Sequence, residues 1–200
     1  MDNSDKIILD LCGGTGSWSR PYKEHGYDVR LITLPYFDVR DYNPPDNVYG
    51  VLAAPPCTHF SLAGAQYWKY KDDNGYTADA LSIVYACLDI IKIAAPKFWA
   101  LENPKGRLTK WLGRPTMIFN QSEFGAPYLK PTYLWGFFNT LIVRGPYTPK
   151  NLLRPLQELK LSELYQLPAD YNLNIDHNKR AAQRSIYPPA FADAFFQANQ

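Results

Sequence analysis

Short apolar runs that alternate with segments of helical pattern place the strongest constraint on the fold of this chain. Four runs are typical of buried strands, at 6–12, 27–34, 48–53 and 98–101. A helix is predicted over 17–25, ending at Gly26, and a longer one over 77–95, capped by Thr77 and ended by Pro96. This alternation indicates an α/β fold with a mostly parallel, doubly wound sheet.

The second half of the chain continues the pattern less regularly. Segments 117–120 and 132–137 are weaker strand candidates, and proline favours a helix start at Pro188, with the helix predicted over 188–198. No internal repeat or low-complexity linker divides the sequence, and the irregular stretch 139–161 is too short for a second domain. We therefore expect a single domain over residues 1–200.

The cysteines limit the class of protein. Cys12, Cys57 and Cys87 cannot all pair and none lies in a CxxC, which argues against a disulfide framework and a zinc site and favours a reducing compartment. The acidic N-terminus does not fit a secretory signal, and no apolar stretch reaches membrane-spanning length. We expect a cytoplasmic protein that binds neither a membrane nor a metal.

Basic residues are concentrated in one segment, although the net charge is only +2. Eight lysines and arginines lie between 105 and 154, with Glu123 as the one acidic residue and with aromatic residues between them. This mixture suits a polyanionic partner with stackable bases. A solvated basic face is the alternative interpretation.

Residues that carry chemistry follow three of the predicted strands. A glycine turn (GGTG, 13–16) follows the first run, PPC (55–57) follows the third, and ENP (102–104) follows 98–101. Ligands bind at the carboxyl ends of the strands in doubly wound sheets. We therefore expect these three segments to form one site.

The role of Cys57 stays open when its own surroundings are considered alone. Two prolines fix the backbone before it, as a nucleophile requires if it must meet an electrophilic carbon at a defined angle. Packing as a small hydrophobe is one alternative, and metal binding is another, although the three histidines are scattered. A hydrolase pair with His59 is a third, but residues two apart in an extended segment point in opposite directions.

Polar residues beside the other two segments are candidate ligand contacts. Glu102 ends an apolar strand, where loss of hydration lets a carboxyl group donate a proton near neutrality, with Asn103 beside it for orientation. A helix cap for 105–112 is the alternative. Asp10 could hold a polar ligand group or satisfy local backbone donors. Asp38 could accept a hydrogen bond from an adenine amino group or simply form a turn.

Taken in order, these segments resemble the DNA cytosine-5 methyltransferase family. LDLCGGTGSW (9–18) resembles the family's first motif, which binds S-adenosylmethionine, and APPCTHFS (54–61) resembles its Pro-Cys nucleophile loop. WALENPKG (99–106) resembles its Glu-Asn motif, and FGAPYLKPTYLWG (124–136) its basic-residue motif. QRSIYPPAFADAFFQA (183–198) resembles its last motif. The matches follow the family's order along nearly the whole chain.

The resemblance implies a Rossmann-like methyltransferase fold and transfer of a methyl group to C5 of cytosine in DNA, with the base flipped out of the duplex. The Cys57 thiolate would attack C6 while Glu102 protonates or hydrogen-bonds N3. Asn103 would position the Pro-Cys loop or Glu102, and Lys130 would take the basic role near the base. The residues implied in binding S-adenosylmethionine are Asp10, Leu11, Cys12, Gly14, Gly16, Asp38, Pro55 and Ser185.

Four departures from the family pattern affect the expected substrate. Thr58 replaces the usual Gln, the acid at the end of the second strand is missing, and Arg184-Ser185-Ile186 replaces the usual Gly-Asn. Only about forty residues separate the Lys130 segment from the last motif, where the family normally inserts a target-recognition domain that reads base edges.

Without that domain we expect relaxed or short-site specificity, or a protein partner that supplies target recognition. Methylation of RNA or of a free cytosine nucleotide is an alternative, and so is a non-catalytic nucleic-acid-binding relative. The expected setting is the cytoplasm of a prokaryotic or phage-infected cell, in restriction-modification or phage self-protection.

Overall fold

The computed structural model describes residues 2–142 and 186–200, and within them six strands and five helices. The strands β1 to β6 are Ile7–Leu11, Asp28–Ile32, Val48–Ala53, Phe98–Pro104, Met117–Asn120 and Pro131–Phe137. The helices α1 to α5 are Arg20–Glu24, Trp68–Asp73, Tyr76–Ala94, Thr109–Leu112 and Pro189–Ala198. Short 3-10 turns cover Val39–Asp41, Leu62–Tyr67 and Gln121–Phe124.

The six strands form one sheet in the order β2-β1-β3-β4-β6-β5. Strand β1 pairs in parallel with β2 and β3, β3 pairs in parallel with β4, and β6 runs antiparallel to both β4 and β5. Five of the six strands therefore point in the same direction. The predicted mostly parallel α/β sheet is confirmed.

Strand β4 differs from the prediction, which ended it at Leu101. It continues through Pro104, because Glu102, Asn103 and Pro104 pair with Leu134, Tyr133 and Thr132 of β6. The predicted catalytic residues Glu102 and Asn103 thus lie within a strand, and the alternative of a helix cap for 105–112 is wrong. The pairing with β6 fixes the backbone positions of both residues.

Consecutive residues of the strands point to opposite faces of the sheet, and each face has its own core. Ile8, Leu52 and Ala100 face one core, which α1 and α5 complete with side chains such as Phe191 and Phe195. On the other face, the apolar side of α3 covers a second group of strand residues, Leu9, Val51 and Leu101. Helices therefore pack on both faces, as the doubly wound prediction required.

Helix α3 agrees with its predicted span but starts differently. Its N-cap is Gly75 in the left-handed region, and no side chain caps it, so the predicted capping role of Thr77 is wrong. The Thr77 hydroxyl donates instead to Asp72 at 2.6 Å. Cys87 is fully buried in the core beneath α3, which confirms its predicted packing role.

The segment that follows β6 contacts the last helix and the residue after it. The backbone N–H of Asn139 donates to Asn199 Oδ1 at 2.7 Å, and the Asn199 amide donates back to Asn139 O at 3.4 Å. Phe138 packs against Phe195 with ring centres 5.5 Å apart. Residues just after β6 are therefore tied to the last helix. None of the described helices combines the length and apolar character needed to cross a membrane.

Candidate active site

The register of the parallel strands brings the three predicted segments together. Leu11 of β1 pairs with Ala53 of β3, and Ala53 pairs with Leu101 of β4. Because these strands run in the same direction, the residues that follow them lie at the same edge of the sheet. The glycine turn (13–16), the nucleophile loop (54–61) and Glu102 therefore occupy neighbouring positions, as the sequence predicted.

Hydrogen bonds from neighbouring segments hold the nucleophile loop in place. The Cys57 carbonyl accepts from the backbone N–H groups of Phe60 at 3.0 Å and Ser61 at 2.9 Å, so Cys57 begins a tight turn. The fully buried Asn103 donates its side-chain amide to Pro55 O at 2.9 Å. This is the contact that a loop-positioning role for Asn103 requires, although its part in catalysis stays a prediction.

His59 lies within the nucleophile loop and is half-buried. Its ring stacks on Tyr76 of α3 with centres 6.1 Å apart. Burial lowers the pKa of His59 below its ordinary value, and the positive charge of Lys71 lowers it further. A neutral imidazole therefore prevails near physiological pH.

Glu102 and Lys130 form a buried ion pair at the end of the sheet. Lys130 Nζ lies 3.5 Å from Glu102 Oε1, and the two residues are only 8 % and 5 % exposed. Glu102 lies on β4, while Lys130 immediately precedes β6, the antiparallel neighbour of β4. Within the described part of the chain, Glu102 Oε1 is buried and accepts no hydrogen bond. It retains the capacity to bind a polar group of a substrate.

Tyr187, which the sequence argument did not single out, lies beside this pair. Its buried ring lies under Lys130, with Nζ 6.0 Å from the ring centre, and packs on Trp18 with ring centres 5.0 Å apart. Burial raises the pKa of Tyr187 well above its ordinary value, and the negative charge of Glu102 and a hydrogen bond with it raise it further. The phenol therefore stays protonated beside the Glu102 carboxyl group.

The glycine turn leaves a buried carboxyl group with unused hydrogen-bonding capacity. Asp10 is fully buried, and its Oδ2 accepts a hydrogen bond from Ser19. Its Oδ1 has no hydrogen-bond partner among the described residues. Burial raises the pKa of Asp10 to about 7. A Cβ on Gly13 would overlap this carboxyl group, so only glycine fits at position 13.

The backbone of the turn is shaped for a close approach from outside. Gly14 and Gly16 have φ values of +57° and +69°, which suit glycine. A Cβ on Gly14 would meet nothing within 4 Å, so the space beside it is open. Cys12 also has a positive φ of +57°, and its N–H donates to Ile32 O at 2.8 Å. A thiol contact with Cys12, together with burial, raises the pKa of Cys87.

The other residues predicted to bind the cofactor differ in their surroundings. Leu11 is fully buried in the core, and its carbonyl accepts from Ala54 N at 2.8 Å, so its side chain packs within the protein. Pro55 is buried, and its carbonyl group accepts the hydrogen bond from Asn103. Asp38 caps the turn Val39–Asp41 by accepting from Arg40 N at 3.0 Å, as in its turn-forming interpretation. Ser185 lies outside the described residues.

The basic segment offers a smaller surface to a polyanion than its composition indicated. Lys130 and Arg107 are buried. The exposed basic residues in its described part are Lys105, Lys110 and Arg114, and Trp111 beside them is 37 % exposed. Two of the interleaved aromatic residues, Tyr128 and Trp135, are buried. Only part of the predicted basic and aromatic mixture is therefore exposed in the described part of this segment.

The sequence of the chain matches a known family. The model of the C-5 cytosine-specific DNA methylase family matches residues 22–127, which are 106 of the 200 residues, and the chain belongs to this family. It is 26 % identical over 126 residues to the type II methyltransferase M.DdeI of Desulfomicrobium norvegicum. That alignment covers 51 % of this chain and 28 % of the relative. The resemblance drawn from the sequence motifs is thereby confirmed.

A solved structure gives a weaker comparison. A prophage-encoded protein of E. coli, assigned as a DNA modification methyltransferase, is 17 % identical, with a TM-score of 0.45. The similarity covers 82 % of this chain and 56 % of that protein. A similarity of this size carries no functional argument.

Proposed function

We propose that this chain transfers a methyl group from S-adenosylmethionine to C5 of cytosine in DNA, with Cys57 as the nucleophile. One observation carries the proposal. In a member of the C-5 cytosine-specific DNA methylase family, the Cys57 loop, the Glu102–Lys130 pair and the open glycine turn lie at one edge of the sheet. The proposed nucleophile and acid can therefore act on one base, and the methyl donor can bind beside them.

The chemistry begins with the thiolate of Cys57, which forms a bond to C6 of the flipped cytosine. The electron density displaced from the ring reaches N3, where Glu102 donates a hydrogen bond or a proton. Lys130, 3.5 Å from Glu102, balances the negative charge that Glu102 carries once its proton has moved to N3. The C5 atom of the adduct is then enamine-like and nucleophilic. The methyl group would come from the sulfonium of bound S-adenosylmethionine, whose sulfur leaves as a neutral thioether. Loss of the C5 proton to a solvent water, with return of the N3 proton to Glu102, then breaks the sulfur–C6 bond and restores both the aromatic base and the thiolate.

The glycine turn fits the methyl donor. S-adenosylmethionine, when bound, supplies an electrophilic methyl group together with cationic and hydrogen-bonding groups. The unused Asp10 Oδ1 suits such a cation or donor, and the open space beside Gly14 admits a ligand close to the backbone. We propose this role for Asp10, Cys12, Gly14 and Gly16. Asp38 and Ser185 keep the role that the family resemblance implies.

DNA is the proposed substrate because of the family and the exposed basic residues Lys105, Lys110 and Arg114 with Trp111. A single catalytic domain over 1–200, with short-site specificity or with a partner that supplies target recognition, completes the proposal. We place it in restriction-modification or phage self-protection. The chain spans 28 % of the length of M.DdeI, so the activity of that whole protein is not transferred to it without a test.

The test is methyl transfer from tritiated S-adenosylmethionine to DNA, with Cys57→Ala as the control. We expect label in DNA from the wild type and none from Cys57→Ala. Only a thiolate that adds to C6 is trapped on 5-fluorocytosine DNA, so trapping separates the enzyme from a nucleic-acid binder. The same assay with RNA, dCTP and dCMP identifies the substrate class. Unlabelled DNA at every salt concentration tested would rule out the proposal.

The hydrolase alternative is tested by His59→Ala. A Cys57–His59 pair requires the imidazole as a base, so its removal would abolish activity. Under the proposed mechanism His59→Ala only reduces methyl transfer, because the ring packs on Tyr76 and takes no proton.

A further inference from the structure

Arg107 is a buried charged residue that the proposed mechanism does not use. It is only 4 % exposed, although it belongs to the basic segment that the sequence analysis matched to a polyanionic partner. A guanidinium group cannot lose its proton in a protein, so a buried one must be fully hydrogen-bonded. Its partners therefore indicate what it does.

The guanidinium group connects the nucleophile loop to two helices. Nε donates to His59 O at 3.0 Å, and Nη2 donates to Thr77 Oγ1 of α3 at 2.7 Å. Nη1 donates to Asp72 of α2 at 2.8 Å. The charged plane lies 4.9 Å from the ring centre of Trp68. Three separate elements are thus joined through one side chain.

The backbone around Arg107 is attached to the same loop. Its N–H donates to Phe60 O at 2.9 Å, and Leu62 N donates to Lys105 O at 3.1 Å. A Cβ on Gly106 would overlap the Phe60 carbonyl group, so glycine is required for this close approach. The segment that leaves β4 after Glu102 is therefore fastened along the far side of the nucleophile loop.

These contacts extend to Cys57 through its turn. The Cys57 carbonyl is bound by the N–H groups of Phe60 and Ser61. The carbonyl groups of His59 and Phe60 are in turn bound by Arg107. The turn that starts at Cys57 is thus fixed at its other end by Arg107.

We infer that Arg107 is a positioning residue, which holds the Cys57 turn against α2 and α3 so that the thiol meets the base at a fixed place. This inference rests on the proposed function for its catalytic consequence. A displacement of about 1 Å at a reacting atom costs about 100-fold in rate. Lysine keeps the charge but lacks the planar fork that reaches three acceptors at once.

The experiment measures the rate of covalent trapping on 5-fluorocytosine DNA in a single turnover for Arg107→Lys. We expect the rate to fall about 100-fold, while the Kd for S-adenosylmethionine changes less than about twofold, because the glycine turn is untouched. Hydrogen exchange of the backbone amides of Phe60 and Ser61 should become faster. Arg20→Lys is the matched control, because the ion pairs of Arg20 are with Glu24 of α1 and Asp193 of α5 and not with the nucleophile loop.

Asp72→Asn is the second variant, and it decides the matter if Arg107→Lys does not fold. It weakens one of the three side-chain bonds of Arg107, so we expect a fall in trapping of about 10-fold. An unchanged trapping rate in the folded variants overturns the inference, and so does an equal loss of trapping and of S-adenosylmethionine binding.

Failure of the proposed function gives a different pattern. The wild type itself is then not trapped, and the amide exchange of Phe60 and Ser61 still shows whether Arg107 holds the turn. Faster exchange in Arg107→Lys supports the positioning contact, and unchanged exchange overturns it.

Discussion

The nucleophile loop and the glycine turn lie side by side but are held in different ways. Side chains from outside the loop bind its carbonyl groups: Asn103 binds Pro55 O, Lys71 binds Thr58 O and Arg107 binds His59 O. The glycine turn is closed mainly by its own backbone, with Gly16 N bonded to Gly13 O at 3.0 Å. Its buried Asp10 keeps one oxygen unpaired.

This difference matches two kinds of task. A nucleophile gains rate when its position is fixed before the substrate arrives. A ligand site gains affinity when polar groups with unmet hydrogen bonds are satisfied by the ligand itself. The comparison predicts that changes in the loop reduce the rate, whereas changes in the turn alter stability and cofactor binding.

The largest expected effect concerns Asp10. Its pKa of about 7 lies above the ordinary value of 3.8, so the folded state favours the protonated form. The resulting contribution to stability is full below pH 3.8, and is lost as the pH rises through 7, at a cost of about 4 kcal/mol. Asp10→Asn removes this pH dependence.

Urea unfolding of wild type and Asp10→Asn between pH 4 and pH 8.5 measures the effect. The difference in the free energy of unfolding should move in favour of Asp10→Asn as the pH rises, and level off above pH 8. Asp193→Asn, at an exposed site, is the control. A constant difference over this range would contradict the assignment.

Asn103→Ala tests the loop. It removes the hydrogen bond to Pro55 O, and the loop that carries Cys57 is then free to shift. We expect covalent trapping to fall about 100-fold with little change in S-adenosylmethionine binding. Asn3→Ala is the control, because Asn3 makes the same type of bond to His25 O at an exposed site. Loss of cofactor binding in step with trapping would show that the two halves of the site are not independent.

The smallest effect is expected for Tyr187→Phe, because the ring that packs on Trp18 is kept and only the hydroxyl is lost. The variant loses the hydrogen bond between the phenol and Glu102, the group proposed to act on N3 of the base. The groups around the phenol are Glu102, Asp10, Cys57 and Lys130.

We expect kcat to fall about 10-fold in Tyr187→Phe. Tyr22→Phe provides the comparison, because its buried hydroxyl donates to Asn199 O, away from Glu102. An unchanged kcat in Tyr187→Phe would assign the hydroxyl a purely structural role.

The sequence predicted the strands and the edge at which the site forms, because strand ends carry local signals such as PPC and GGTG. It ended β4 at Leu101, since pairing with β6 depends on a partner thirty residues later that no local pattern reveals. It also took Thr77 as a helix cap, whereas Asp72 and Arg107 bind its hydroxyl. Long-range polar partners of this kind decided each of these differences.

Arg107 and Tyr187 were missed for the same reason. Charge alone placed Arg107 among surface residues, and only its burial against His59 and Asp72 shows otherwise. Tyr187 stands before two prolines at the start of α5, where the sequence argument considered only the helix. For both residues, the contacts in the folded protein indicate a role that the local sequence does not.

The mutual hydrogen bonds of Asn139 and Asn199 have a consequence for how members of this family could diversify. They fasten the end of the sheet to the last helix, and the Glu102–Lys130 pair is assembled by strands that precede them. Each doubling of a connecting segment costs only about 0.6 kcal/mol in closure entropy. A longer connection between Asn139 and Tyr187 is therefore expected to cost little in stability, while the last helix keeps its place against the sheet.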